Sequence, residues 1–163
     1  MSSMAGSPAV TEYTIDTNVL IDLQHRYPRD VFPSAWSSLE ALIDEGRACI
    51  CREVLEETKR GRDDLHKWSS TYPDFACPTT DEDITKAAEI SGAYPDWVRN
   101  EKNAADPFVV AHAIETGRVI VTEERAAGPG VLNHKMKIPN VARAHGIETL
   151  TFLAFARAEK WRF

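Results

Sequence analysis

Hydrophobic positions in this chain repeat with two periods. Short β-like runs at Glu12–Asp16, Arg47–Cys51, Val119–Thr122 and Ile147–Leu150 alternate with stretches whose apolar residues recur at helical spacing. Trp36, Leu39, Leu42 and Ile43 mark the buried face of a helix over Ser34–Glu45, which Pro33 opens and Gly46 stops. Further helices are predicted over Asn18–His25, Glu53–Arg60, Asp63–Ser69, Pro107–Thr116, Pro139–His145 and Thr151–Lys160, with another running from the cap Thr80 to about Ser91. Lys137–Ile138 is expected to begin or extend a short strand. Strands alternating with helices predict an α/β fold whose parallel sheet is covered on both faces. Residues 1–10 (MSSMAGSPAV) are small and polar and predict a loose tail, leaving residues 11–163 as one domain.

The 163 residues are 43% hydrophobic, enough for a core, so wholesale disorder is excluded. No apolar run is long enough to span a membrane, and no charged start followed by a long apolar stretch marks a secretion signal. A cytoplasmic location is the expectation. A net charge of −6 argues against tight passive binding to nucleic acid, which needs a basic surface. It leaves room for a nuclease, because bound divalent cations and a local basic rim offset the charge where a substrate sits.

Cys49, Cys51 and Cys77 are an odd set in a chain without a secretion signal, which predicts reduced thiols. Cys49 and Cys51 lie two apart in a β-like run and face the same side of it, as small core hydrophobes do. A zinc site needs a further ligand pair at suitable spacing, and the five histidines supply none along the chain.

The chemistry resides in the acids. Tyr13-Thr14-Ile15 runs into Asp16-Thr17-Asn18, and Val119-Ile120-Val121 runs into Thr122-Glu123-Glu124. Both strands thus deliver carboxylates to the end of a parallel sheet where ligands bind. Asp106-Pro107 opens an apolar helix, with Asp106 expected as its cap. Capping need not exclude metal binding, since a carboxylate has two oxygens. Among Glu53, Glu56 and Glu57, Glu57 lies closest to the packed face marked by Val54, Leu55 and Thr58, with Glu53 a second candidate. Alternation places Thr122 and Glu124 on one side and Glu123 opposite, favouring Glu124. Acids converging in this way repel one another unless a cation sits among them. Thr17, Asn18 and Thr122 are candidates to orient the carboxylates.

The order strand–Asp, helix–Glu, Asp–helix, strand–Thr-x-acid resembles the PIN-domain nucleases, specifically the PIN-like (VapC-like) toxins of bacterial toxin–antitoxin modules. The matching residues are Ile15–Leu20, Val54-Leu55-Glu56-Glu57, Asp106-Pro107-Phe108-Val109-Val110-Ala111-His112-Ala113 and Val119–Glu124. Lys137–Val141, Gly146-Ile147 and the last helix resemble an uncharacterised branch of that superfamily. The resemblance implies a three-layer α/β/α sandwich and cleavage of RNA with Mg²⁺ or Mn²⁺, leaving 5′-phosphate and 3′-hydroxyl ends. It implies that Asp16, Glu57 and Asp106 match the family's central acids, with Glu124 standing where Asp is usual. It also implies a protein antitoxin as partner. PIN proteins often form dimers, although no stripe in this sequence marks one. Candidates to grip the RNA are Arg125, Lys59, Arg60, Arg62, Lys135 and Lys137. Two alternatives stay open: an inert module that keeps the fold, and an aspartyl phosphotransferase or phosphatase using Asp16, for which Asn18 breaks the usual Asp-x-Asp spacing.

Overall fold

The computed structural model describes residues 10–99 and 103–163. Most of the expected N-terminal tail lies outside them. Thirteen helices and strands follow one another as β1 (Tyr13–Ile15), α1 (Thr17–Arg26), α2 (Pro33–Asp44), β2 (Ala48–Cys51), α3 (Arg52–Thr58), α4 (Asp63–Ser70), β3 (Ala76–Cys77), α5 (Asp81–Ala93), α6 (Asp106–Thr116), β4 (Val119–Val121), α7 (Ile138–Ala144), β5 (Thr149–Leu150) and α8 (Phe152–Ala158). The five strands form one sheet in the order β3-β2-β1-β4-β5, and every pairing is parallel.

This strand order fixes where a site can form. The chain winds outward from β1 through β2 to β3, then returns to the other side of β1 for β4 and β5. The direction reverses between β1 and β4, and open α/β sheets bind ligands at the carboxyl ends of the strands at such a reversal.

Period-2 alternation along β1 assigns the two covering layers. Tyr13 faces α8, its ring 4.5 Å from that of Phe155. Thr14 points to the other face, in register with Cys49, and Cys49 Sγ lies 3.5 Å from His112 Nε2 on α6. Helices therefore cover both faces, giving the expected three-layer sandwich. Ile15, Ile50, Ile120 and Val121 are fully buried between the layers, with Val109, Val110 and Phe155 packed over them. Burying one such side chain stabilises the fold by about 1.5–3 kcal/mol, so the sheet centre carries much of the stability. None of the described helices is long and apolar enough to cross a membrane.

Three details differ from expectation. β3 was not predicted: Ala76–Cys77 is a two-residue strand between Pro73 and Pro78, recruited by pairing with Ile50 and Cys51 rather than by any alternation of its own. Lys137 is the extended residue preceding α7, and Ile138 is that helix's first residue, so this segment is not a strand. Finally, Asp106 does not cap its helix. Ala105 occupies that position with helical angles, and Asp106 is already in the first turn with Pro107 beside it.

Candidate functional site

Asp16 leaves β1 in extended conformation and caps α1, its Oδ1 accepting from Thr17 N at 2.8 Å. Its other oxygen accepts from the Thr122 hydroxyl, just past β4, at 2.9 Å. The neighbouring strands β1 and β4 thus hold one carboxylate between them at the reversal point. Thr17 also donates its hydroxyl to Glu57 Oε2 at 2.7 Å, linking the Asp16 turn to the last turn of α3. Glu57 Oε1 accepts from Ala105 N at 3.3 Å, which brings it to the start of α6. Asp106 follows there. It is 7% exposed, and its carboxylate has no hydrogen bond or ion pair with any described residue. With Ala105 in the cap position, Asp106 lies inside the first turn and makes no capping hydrogen bond.

Burial and like charge act together on these carboxyls. Burial, then Glu124, push the Asp16 carboxyl up to about 7, with Glu57 adding to the rise against hydrogen bonds from Thr122 and Thr17. Burial, then Asp16, Glu124 and Glu57, push Asp106 up to about 9, with Lys137 opposing. Burial also raises Glu57, against hydrogen bonds from Thr17 and Ala105 and the charge of Arg60. Four acids thus act on one another at one end of the sheet. No three of them bring oxygens within 4.8 Å of one another. Such spacing suits a hard cation that keeps several of its waters and takes only one or two carboxylates directly.

The acids that were ambiguous along the chain separate in space. Glu124 takes Ile138 N at 2.8 Å at the start of α7 and faces the other carboxylates. Glu123 turns away, its Oε1 accepting from Phe152 N at 2.7 Å at the start of α8. Glu53 accepts the Thr79 hydroxyl at 2.7 Å, and Glu56 pairs with Lys59 at 2.8 Å on the surface. Asn18 does not orient Asp16. Its Oδ1 accepts from Glu123 N at 3.2 Å and so fixes the chain leaving β4. Thr17 and Thr122 do the orienting.

The basic candidates also divide. Arg125 is exposed next to Glu124, without a hydrogen bond or ion pair among the described residues. Lys59 is engaged by Glu56, and Arg62 lies 3.4 Å from His25 Nε2 in a hollow that none of the four acids lines. Lys137 is exposed and close enough to oppose the rise of Asp106. A cavity of about 310 Å³ adjoins Glu57, bounded by Arg52, Arg60, Ala105 and Phe108. Arg52 was not singled out along the chain, since only the fold brings it to this opening.

With this geometry in view, comparison with known proteins is informative. Residues 13–163 match the model of a family described as a domain of unknown function, DUF4411. The chain belongs to the DUF4411 family. No curated protein sequence matches this DUF4411 chain. Among solved structures it is similar to a chain of VapBC2 from Rickettsia felis bound to a DNA fragment from their promoter, with a TM-score of 0.54 and 14% identity over 86% of this chain and 98% of that one. It is also similar to a chain of FitAB bound to an IR36 DNA fragment, with a TM-score of 0.53 and 17% identity over 86% of this chain and 94% of that one. At such identities the likeness is one of fold, and the PIN-like α/β/α architecture expected from the motifs is the one this DUF4411 protein has.

Proposed function

We propose that this protein is a divalent-metal-dependent endoribonuclease, the toxin of a toxin–antitoxin pair, acting in the cytoplasm with a protein antitoxin as partner. One observation carries the reading: Asp16, Glu57, Asp106 and Glu124 bear on one another where the strand order reverses, and among the described residues the Asp106 carboxylate has no hydrogen bond or ion pair. A buried carboxylate left unpaired among like charges is costly, and the donor set is all hard oxygen, which fits Mg²⁺ or Mn²⁺.

Asp16 and Asp106 would hold the ion, with Glu57 and Glu124 completing its surroundings or accepting hydrogen bonds from its waters. When bound, such an ion supplies a water of lowered pKa and positive charge for the phosphoryl oxygens. The remaining work falls to this chain's own residues. Thr17 N and the Thr122 hydroxyl fix both oxygens of Asp16, so the carboxylate is oriented before substrate arrives. Thr17 holds Glu57 in the same way. Arg52 and Arg60 at the opening beside Glu57, Arg125 beside Glu124, and Lys137 near Asp106 would meet the phosphates of an RNA strand. These few basic groups supply the local positive rim that a chain of net charge −6 otherwise lacks. The similar folds both come from two-component assemblies bound to DNA fragments, which supports an antitoxin as partner.

The test is RNA cleavage with Mn²⁺, comparing wild type with Asp16→Asn and Asp106→Asn. Loss of cleavage in both folded variants supports the reading, and wild-type activity in either removes that residue from the role. Expression in a bacterial host supplies the toxin test: growth arrest by wild type, relieved by Asp16→Asn.

A further inference from the structure

A second cluster of ligating side chains lies on the face of the sheet beneath α6, away from the acids. Cys49 on β2, Cys77 on β3 and His112 on α6 bring their ligating atoms within 4.8 Å of one another. They are 28 and 35 residues apart along the chain, so no local spacing announces them. The expectation that no histidine joins the cysteines is therefore corrected by the fold. We infer that Cys49, Cys77 and His112 form a zinc site, with Asp83 orienting the imidazole from behind.

One separation in the cluster matches a zinc ligand pair. Zn–S bonds of about 2.3 Å and Zn–N bonds of about 2.05 Å at tetrahedral angles require an S···N separation of roughly 3.6 Å. Cys49 Sγ and His112 Nε2 are 3.5 Å apart. The other ring nitrogen, Nδ1, faces Asp83 Oδ2 of α5 at 3.6 Å. This carboxylate–histidine order is the one that fixes the tautomer of a metal-bound imidazole. Cys49 and His112 are buried, whereas Cys77 is only half-buried, which gives an ion a way in and leaves a fourth position for water. Thr14, in register with Cys49, sets its buried hydroxyl beside the Cys49 sulfur. Two thiolates and an imidazole are soft and borderline donors, the opposite of the oxygen set at the sheet end, so the two sites would select different ions.

Zinc here would tie the two-residue edge strand β3 to β2 and to α6, the helix that carries Asp106. Binding releases the thiol protons of Cys49 and Cys77 to solvent and changes no oxidation state.

The experiment loads wild-type protein, purified under reductant, with Zn²⁺ and separately with Co²⁺ in excess Mg²⁺. The expected result is one zinc per chain, a thiolate-to-cobalt charge-transfer band with tetrahedral d–d bands, and zinc protection of Cys49 and Cys77 from iodoacetamide by peptide mass. Cys77→Ser should weaken the charge-transfer band, Asp83→Asn should lower zinc affinity about 10- to 100-fold, and Cys51→Ser should leave both unchanged. An Asp16→Asn/Asp106→Asn variant should still bind zinc, which separates this site from the acids. Absence of the band in wild type, unprotected Cys49 and Cys77, loss of binding only in Cys51→Ser, or a Cys49–Cys77 disulfide in the reduced preparation would overturn the assignment.

Discussion

The two ends of the same sheet treat charge in opposite ways. At the amino ends of the strands opposite charges are set against one another. Glu159 accepts from Tyr13 OH at 2.6 Å and from Arg47 Nη2 at 2.8 Å, while Arg118 donates to Tyr13 O at 3.0 Å and lies 3.5 Å from Glu12. Burial and the Glu159 carboxylate raise the Tyr13 hydroxyl, which stays a neutral donor. At the carboxyl ends four acids bear on one another, and the exposed Lys137 works against the rise of Asp106. Both ends use the same strands and the same kind of hydrogen-bonded scaffold. The amino end is a finished structure. The carboxyl end sets like charges side by side.

The largest expected effect breaks the carboxyl end. Asp16→Asn and Asp106→Asn should each lower cleavage on the order of 100- to 1000-fold, the scale of losing one preorganised electrostatic group. Circular dichroism checks that both remain folded.

Next comes the cost of the uncompensated acids, read without metal. The raised values of Asp16 and Asp106 mean that the folded state favours their protonated forms. Their penalty is absent below the ordinary aspartate value of 3.8 and grows as pH rises through about 7 for Asp16 and about 9 for Asp106. Asp106→Asn removes the larger share. The variant should therefore gain stability over wild type between about pH 5 and pH 8, by on the order of 1–3 kcal/mol in urea melts. A variant equal to wild type at every pH would deny that Asp106 is strained.

The amino end should respond in the reverse sense. Glu159→Gln removes the closer of the two acidic partners of Arg47, leaving Glu45 at 3.4 Å, and should cost about 1 kcal/mol of stability. Cleavage per folded molecule should be unchanged, since nothing there touches the acids.

The smallest effect separates two neighbours. Glu123→Gln should cost about 1 kcal/mol by weakening the start of α8, with cleavage unaffected. Glu124→Gln should slow cleavage about 10-fold, because it alters the surroundings of the ion rather than a direct ligand. Kinetics and denaturation of the pair check both halves.

The same contrast explains what the chain reveals on its own. Strands β1, β2 and β4 and the longer helices are written locally, in apolar runs and in helical repeats such as Trp36–Leu39–Ile43. Asp16 is visible because Ile15-Asp16-Thr17 is a strand end running into a helix start. β3 is not visible, because its two residues form a strand only once β2 offers them an edge. The state of Asp106 is also hidden: Asp-Pro reads as a cap and a first helical residue, and only the helical setting of Ala105 moves the carboxylate into the site. Arg52 at the opening and His112 beside two cysteines depend on how distant elements pack, and no spacing along the chain encodes either.

The most direct test of the central claim is a calorimetric titration of Mn²⁺ into wild type and Asp106→Asn in the absence of RNA. The account predicts saturable binding to wild type, a rise in stability of about 2.7 kcal/mol at one hundred times the dissociation constant, and loss of both in the variant. Identical binding by the two proteins, or none by wild type, would contradict it.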